Sequence, residues 1–169
     1  MDDRAVVAQQ LGRQPRAFRQ VAVRCPFGLP AVTEQAPYDL NGEPFPTMYY
    51  LTCSYLVAAL ARLEAAGGVE RWSREASENE SLAGSLVSAS DDQRRLRHAI
   101  AGRTDSDGGV SLELGIGGAS SPAHLKCLHA HAAYALARPG YVLGERILAE
   151  VQPPWPAQEC CSEAFREAS

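Results

Sequence analysis

Residues 18–36 read FRQVAVRCPFGLPAVTEQA, and this stretch decides the fold. Residues 18–24 alternate well enough for a β-strand, with Val21 and Val23 on one face. Residues 25–30 carry two prolines and a glycine, which favour a turn, and residues 31–36 are predicted to form a second strand. The stretch therefore predicts the first two strands of a small sheet.

The chain on either side of this stretch adds a third strand and several helices. Asn41-Gly42 is a strong turn signal, and residues 47–52 are rich in side chains that suit a pleated surface. Residues 70–101 look helical but polar, in two pieces, with Ser90 capping the second piece. Helical periodicity and end signals predict further helices over residues 3–11, 54–66, 121–138 and 142–150.

Strands come first in this order and helices follow. That pattern predicts an α+β fold, with a small antiparallel sheet of about three strands packed against four to six helices. A chain of 169 residues is the usual size of one domain. We expect a single domain over residues 1–156 and a loose C-terminal tail over residues 157–169.

Composition excludes some classes of function. Hydrophobic residues make up 46% of the chain, charged residues 21%, and the net charge is -4. Lys126 is the only lysine and the arginines are scattered, so we expect no nucleic-acid partner. The chain lacks a run of 18 apolar residues, which argues against a membrane span, and its acidic N-terminus does not resemble a secretory signal. We therefore expect a cytoplasmic protein whose thiols stay reduced.

The most informative motif for function is Lys126-Cys127-Leu128-His129-Ala130-His131. On a helix that starts at Pro122, residues His124, Cys127 and His131 fall on one side, at spacings of three and four. His129 lies on the other side. This geometry favours His131 as the partner of Cys127 in a metal site.

Two further cysteines stand at the ends of predicted strands. Cys25 ends the first strand, and Cys53 ends the third just before a helix N-terminus, where positive potential favours a thiolate. Together with Cys127 and one histidine they would form a Cys₃His set, which is a usual zinc site. An iron–sulfur cluster is the competing occupant, and Cys160 or Cys161 could supply a fourth thiolate.

Two alternatives need no metal. Cys127 or Cys53 could be the nucleophile of a thiol enzyme, with His129 or His131 as its base. The cysteines could also be packed as small hydrophobic residues in a protein-interaction module. A run of glycines at residues 115–118 matches no phosphate-binding motif and predicts a tight turn.

Three motifs, in their order and spacing, resemble the bacterial domain-of-unknown-function 501 family. They are residues 24–30 (RCPFGLP), 42–53 (GEPFPTMYYLTC) and 126–129 (KCLH). The resemblance covers about residues 5–150 and implies a cytoplasmic bacterial protein with no established activity.

The resemblance also implies which site residues to expect, namely Cys25, Cys53, Cys127 and His129. It favours His129 over His131, so the choice between His129, His131, His124 and Cys160 as fourth ligand stays open. The sequence departs from the family pattern at Ser54, where proline is common, and at Tyr134, where histidine is expected.

Overall fold

One antiparallel sheet organises the molecule. The computed structural model describes residues 2–102, 106–121 and 123–160. Its strands are β1 (Phe18–Arg24), β2 (Pro30–Gln35) and β3 (Tyr49–Leu51), in the spatial order β1-β2-β3. The first two strands match their prediction to within one residue. The third is shorter than predicted because it lies between the proline-rich segment 44–46 and the start of a helix.

Within these residues six α-helices accompany the sheet, which confirms the predicted α+β class. They are α1 (Asp3–Leu11), α2 (Ser54–Ala65), α3 (Gly68–Glu78), α4 (Glu80–Ala101), α5 (Leu128–Ala137) and α6 (Val142–Ala149). Short 3-10 turns cover Val110–Glu113 and Ile116–Gly118. In the second of these, Gly117 and Gly118 have positive φ angles of 69° and 75°, so the tight turn predicted from the glycines is confirmed.

The core lies where α5 meets the sheet and α6. Leu128, Ala132 and Ala133 on α5 are fully buried, as are Val32 of β2 and Leu143 of α6. A helix that is apolar on all sides can be stable only when it is enclosed on all sides. This burial accounts for the alanine-rich composition of α5.

The break between the two polar helices falls at Asn79, so the prediction of a helix start at Ser90 is wrong. Asn79 has an extended backbone (φ -112°, ψ 110°), and its side chain accepts a hydrogen bond from the backbone N–H of Leu82 at 3.1 Å. It thereby caps α4. Ser90 is buried in the middle of α4, where its capping preference has no effect.

The helix predicted to start at Pro122 starts instead at Leu128. Pro122 lies outside the described residues, and Cys127 has an extended backbone (φ -156°, ψ 156°) as the N-cap of α5. The backbone N–H of Leu128 donates to Glu64 Oε1 at 2.6 Å, and that of Leu125 donates to Ser73 Oγ at 3.2 Å. Distant side chains thus satisfy N–H groups that the predicted helix would have used.

Two expectations concern the chain as a whole. In the described part of the chain, no helix is long and apolar enough to cross a membrane. Residues 157–160 have no regular secondary structure, and the rest of the predicted loose tail, residues 161–169, lies outside the described residues. The prediction of a single domain over residues 1–156 stays a prediction.

Candidate functional site

A groove of about 570 Å³ lies between β3 and the first turns of α2 and α5. The C-terminal end of α1 closes one side of it. Its lining is mostly apolar, with a thiol, an imidazole, an amide and several hydroxyls among the lining residues. They are Gln10, Leu11, Thr47, Tyr49, Tyr50, Leu51, Thr52, Ser54, Val57, Ala58, Cys127, His129 and Ala130. A concave, largely apolar site with a few polar groups is the usual form of a ligand-binding site.

Cys127 contributes its thiol to this groove from the N-cap position of α5. The side chain is half-buried. Burial raises the pKa of the Cys127 thiol, and the carboxylate of Glu64 raises it further, while the backbone N–H groups of Ala130 and His129 oppose that rise. The net direction is upward, so the thiol is protonated at neutral pH. A resting thiolate nucleophile would need the opposite shift.

His129 lines the same groove, but both of its ring nitrogens are already engaged. Nδ1 lies 2.9 Å from Glu64 Oε1, and Nε2 lies 3.1 Å from the carbonyl oxygen of Val57. Each ring nitrogen faces an oxygen atom of the protein, so neither is open to the Cys127 thiol or to a metal ion. Through these contacts His129 connects α5 to Glu64 and Val57 of α2, and its side chain forms part of the groove wall.

His131 lies on the opposite side of α5, away from the groove, and is 1% exposed. Its Nδ1 is 2.7 Å from the hydroxyl of Tyr141, and Nε2 is buried with no hydrogen-bond partner among the described residues. Burial lowers the pKa of His131 to about 3, so the ring is neutral at pH 7. The helical-face argument that paired His131 with Cys127 is wrong, because Cys127 precedes the helix instead of lying on it.

The other predicted ligands lie on different elements of the fold. Cys25 is buried in the turn after β1, where its backbone N–H donates to the Leu29 carbonyl at 2.9 Å. Cys53 is buried at the N-cap of α2. His124 is exposed in the segment before α5. Cys160 is half-buried, and Cys161 lies outside the described residues.

These positions do not fit the predicted metal centre. Within residues 2–102, 106–121 and 123–160, no group of three or more histidine, cysteine, aspartate or glutamate side chains could hold a metal ion. His131 is turned away, and both nitrogens of His129 are engaged. Zinc or iron–sulfur binding stays a prediction, and the arrangement of these side chains gives it no support.

Three features of the groove were missed by sequence reasoning. Glu64 binds the first turn of α5 across a sequence separation of 64 residues, and no local pattern marks such a contact. Gln10 carries no signal as a site residue in the sequence, yet its Oε1 is buried without a hydrogen-bond partner within the described part of the chain. The open edge of β3 depends on the order of strands in the sheet, which alternating side chains do not reveal.

Comparison with known proteins gives one family and no function. The DUF501 family model, described as a protein of unknown function, matches residues 21–149. No curated protein and no solved structure matches the chain.

Proposed function

This chain belongs to the DUF501 family, whose description gives no function, and from the geometry of its groove we propose that it binds an extended segment of a partner protein. The segment adds as a fourth strand to the open edge of β3, between that strand and the first turns of α2 and α5. In this mode of recognition, main-chain hydrogen bonds provide affinity and side-chain pockets provide specificity. The protein is then an interaction module in which Cys127 is a contact residue.

The observation that carries this proposal is the run of consecutive β3 residues along the groove. Thr47 and the unbroken series Tyr49, Tyr50, Leu51 and Thr52 all line it. Side chains on one face of a strand come from alternate residues only. A cavity lined by an unbroken series therefore runs along the edge of the strand.

The register of β3 on β2 supports this orientation. Tyr50 is paired with Thr33, the Met48 carbonyl accepts from Gln35 N at 2.8 Å, and Thr52 N donates to the Ala31 carbonyl at 2.9 Å. Backbone groups alternate in direction along an antiparallel strand. The N–H and C=O groups of residues 49 and 51 consequently point away from β2. Over the described ranges, no strand pairs with β3 on that side.

The walls of the groove suit a short peptide. A strand of three residues spans about 10 Å at roughly 3.4 Å per residue, so the paired part of the segment is short. Leu11, Val57 and Ala58 offer apolar contacts. The buried Gln10 Oε1, which has no partner within the described chain, can accept a hydrogen bond from a peptide N–H and so recover the free energy of its desolvation.

The thiol-enzyme alternative has less support. It needs a base within hydrogen-bond reach of the sulfur, and His129 is fully engaged by Glu64 and Val57. Burial also raises the pKa of Cys127. We propose that the module works in the cytoplasm, where its thiols would stay reduced.

The experiment starts from a random-peptide display library selected on the full-length protein. Selected peptides are titrated against the wild type and against two tryptophan variants of exposed alanines on α2. Ala58→Trp fills the groove, and Ala61→Trp is the matched control because Ala61 is exposed but does not line it. We expect binding to weaken at least tenfold in A58W and to stay within twofold in A61W.

Two results would overturn the proposal. One is that the selection yields no peptide that binds in solution. The other is that selected peptides bind A58W as tightly as the wild type, which would put their site elsewhere on the surface. Circular dichroism of both variants verifies that each is folded.

A further inference from the structure

A second cavity, of about 400 Å³, lies on the other side of α5, between α4, the end of α5 and the start of α6. None of its described lining residues also lines the groove beside β3. Its lining is more polar and carries three serines, an aspartate, an arginine and two tyrosines. The lining residues are Ser81, Gly84, Ser85, Ser88, Ala89, Asp92, Tyr134, Arg138, Pro139, Gly140, Tyr141 and Val142.

Asp92 is the acidic residue among the described residues that line this cavity, and the positive charges of neighbouring arginines balance its negative charge. The hydroxyl of Tyr134 donates to it at 2.5 Å, and Arg138 donates from Nε at 3.0 Å and from a terminal nitrogen at 3.2 Å. Arg95 also pairs with Asp92, from the solvent side. The two hydrogen bonds to Asp92 hold the Arg138 guanidinium in a fixed orientation. Because a guanidinium has five N–H donors, donors remain available to a ligand.

Tyr141 offers a further donor. The structure buries this residue, and its hydroxyl oxygen lies 2.7 Å from Nδ1 of the neutral His131. If Tyr141 donated to Nδ1, the proton of His131 would sit on Nε2 as a buried N–H without a partner, which is the rarer kind of unsatisfied group. If Nδ1–H donates instead, the Tyr141 hydroxyl proton is left for another acceptor. Tyr141 lines the cavity, where such an acceptor would bind.

The serines add to this surplus of donors. Ser85 Oγ accepts a hydrogen bond from the backbone N–H of Leu143, in the first turn of α6, at 3.3 Å. Its own hydroxyl proton therefore remains to be donated, and Ser81 and Ser88 present two more hydroxyls to the cavity. The N-terminus of α6 also faces this cavity through Gly140, Tyr141 and Val142, and its partial positive charge favours an acceptor.

We propose that this cavity binds an oxyanion, a carboxylate or phosphate group of a small molecule, held by Arg138, Tyr141 and the serine hydroxyls. The oxygen atoms of the ligand accept hydrogen bonds from these remaining N–H and O–H donors. The carboxylate of Glu145, in the first turn of α6, accepts the backbone N–H of Gly140 at 2.7 Å at an exposed position. The proposal is independent of peptide binding at β3.

The test titrates ¹⁵N-labelled full-length protein separately with inorganic phosphate and with acetate, up to about 20 mM, and follows the amide signals of Gly140 and Leu143. Dissociation constants in the millimolar range are readily measured in this way. Saturation by phosphate alone identifies a phosphate site, and saturation by acetate identifies a carboxylate site. If neither anion gives a saturable shift, the proposal is wrong.

Three variants locate the binding. Arg138→Gln and Tyr141→Phe are expected to weaken it at least fivefold. Arg95→Gln is the matched control, because Arg95 pairs with the same carboxylate but does not line the cavity, and it should bind within twofold of the wild type. If both R138Q and Y141F bind the anion as tightly as the wild type does, the anion does not bind in this cavity and the proposal is wrong. If R138Q does not fold, Arg138→Lys replaces it, and its single ammonium should still bind less tightly than the fork of the guanidinium.

Discussion

The carboxylate of Glu64, in the last turn of α2, lies 2.9 Å from Nδ1 of His129 in the first turn of α5. The same oxygen accepts the backbone N–H of Leu128 at 2.6 Å. One side chain thus fixes where α5 begins and how it sits against α2. These two helices form the walls of the groove beside β3, so the geometry of the groove depends on this pair.

Replacing Glu64 should therefore destabilise the protein. Glu64→Ala removes an acceptor from two partly buried donors and should lower the free energy of unfolding by about 1–3 kcal/mol. Arg62→Ala, at an exposed position on the same helix, should change it by less than about 0.5 kcal/mol. Urea unfolding followed by circular dichroism measures both. An E64A variant as stable as R62A would contradict the assigned role.

The buried His131 should make stability depend on pH. Burial lowers the pKa of His131 to about 3, against about 6.5 in the unfolded chain. Between these values the unfolded state binds a proton that the folded state does not, so stability falls as pH falls. The slope from this group is about 1.4 kcal/mol per pH unit below pH 6.

The matching control is His131→Phe, which keeps a ring of similar size but removes the titration. Its free energy of unfolding should fall less steeply than that of the wild type between pH 6 and pH 4, although its value at pH 7 is lowered by the loss of the Tyr141 contact. Parallel profiles for the two proteins would show that the folded state admits a protonated His131.

Hydrogen bonds of Asp107 connect the segment after α4 to the loop between β2 and β3. It accepts hydrogen bonds from the Tyr38 hydroxyl at 2.6 Å and from the backbone N–H groups of Gly109 and Ser111 at 2.9 and 2.8 Å. Asp107→Ala should lower the free energy of unfolding by about 2–4 kcal/mol, because these donors lose their acceptor. Asp91→Ala breaks only an exposed pair with Arg94 and should lower it by less than about 1 kcal/mol. Thermal denaturation separates the two.

Two glycines should respond in opposite directions to alanine. Gly118 has a φ of 75°, and a Cβ there would lie 3.0 Å from a side-chain carbon of Pro46, so Gly118→Ala should destabilise the fold by about 1–3 kcal/mol. Gly84 lies inside α4 with nothing within 4 Å of an added Cβ. Gly84→Ala should stabilise the fold by roughly 0.5–1 kcal/mol. Stabilisation by G118A would show that the turn has another accessible conformation.

The sequence was informative for the first strand, but a local determinant was not always recognised, as the Asn79 cap of α4 shows. β1 was predicted with its observed bounds, because alternation along one strand is visible in that strand alone. The start of α5 was not, because its first N–H group binds Glu64 and this contact exists only in the folded chain. Once Cys127 leaves the helix, the spacing of three and four that joined it to His124 and His131 has no geometric meaning.

In the candidate site, too, the sequence identified some residues but not the contacts that they make in the folded chain. The family resemblance named Cys127 and His129 together as candidate ligands, and both line the groove, but metal binding by them stays a prediction. Their roles were not readable, because the contacts that occupy His129 come from α2. The edge of β3 became visible only when the sheet order β1-β2-β3 placed that strand at one side.

Amide hydrogen exchange along β3, measured first in the protein alone and then with a selected peptide bound, shows whether the peptide adds as a strand to this edge. The amides of Tyr50 and Thr52, which face β2, should be protected in both states. Those of Tyr49 and Leu51, which point into the groove, should exchange faster in the protein alone and become at least tenfold slower when the peptide binds. A bound peptide that leaves the exchange of Tyr49 and Leu51 unchanged would contradict strand addition at β3.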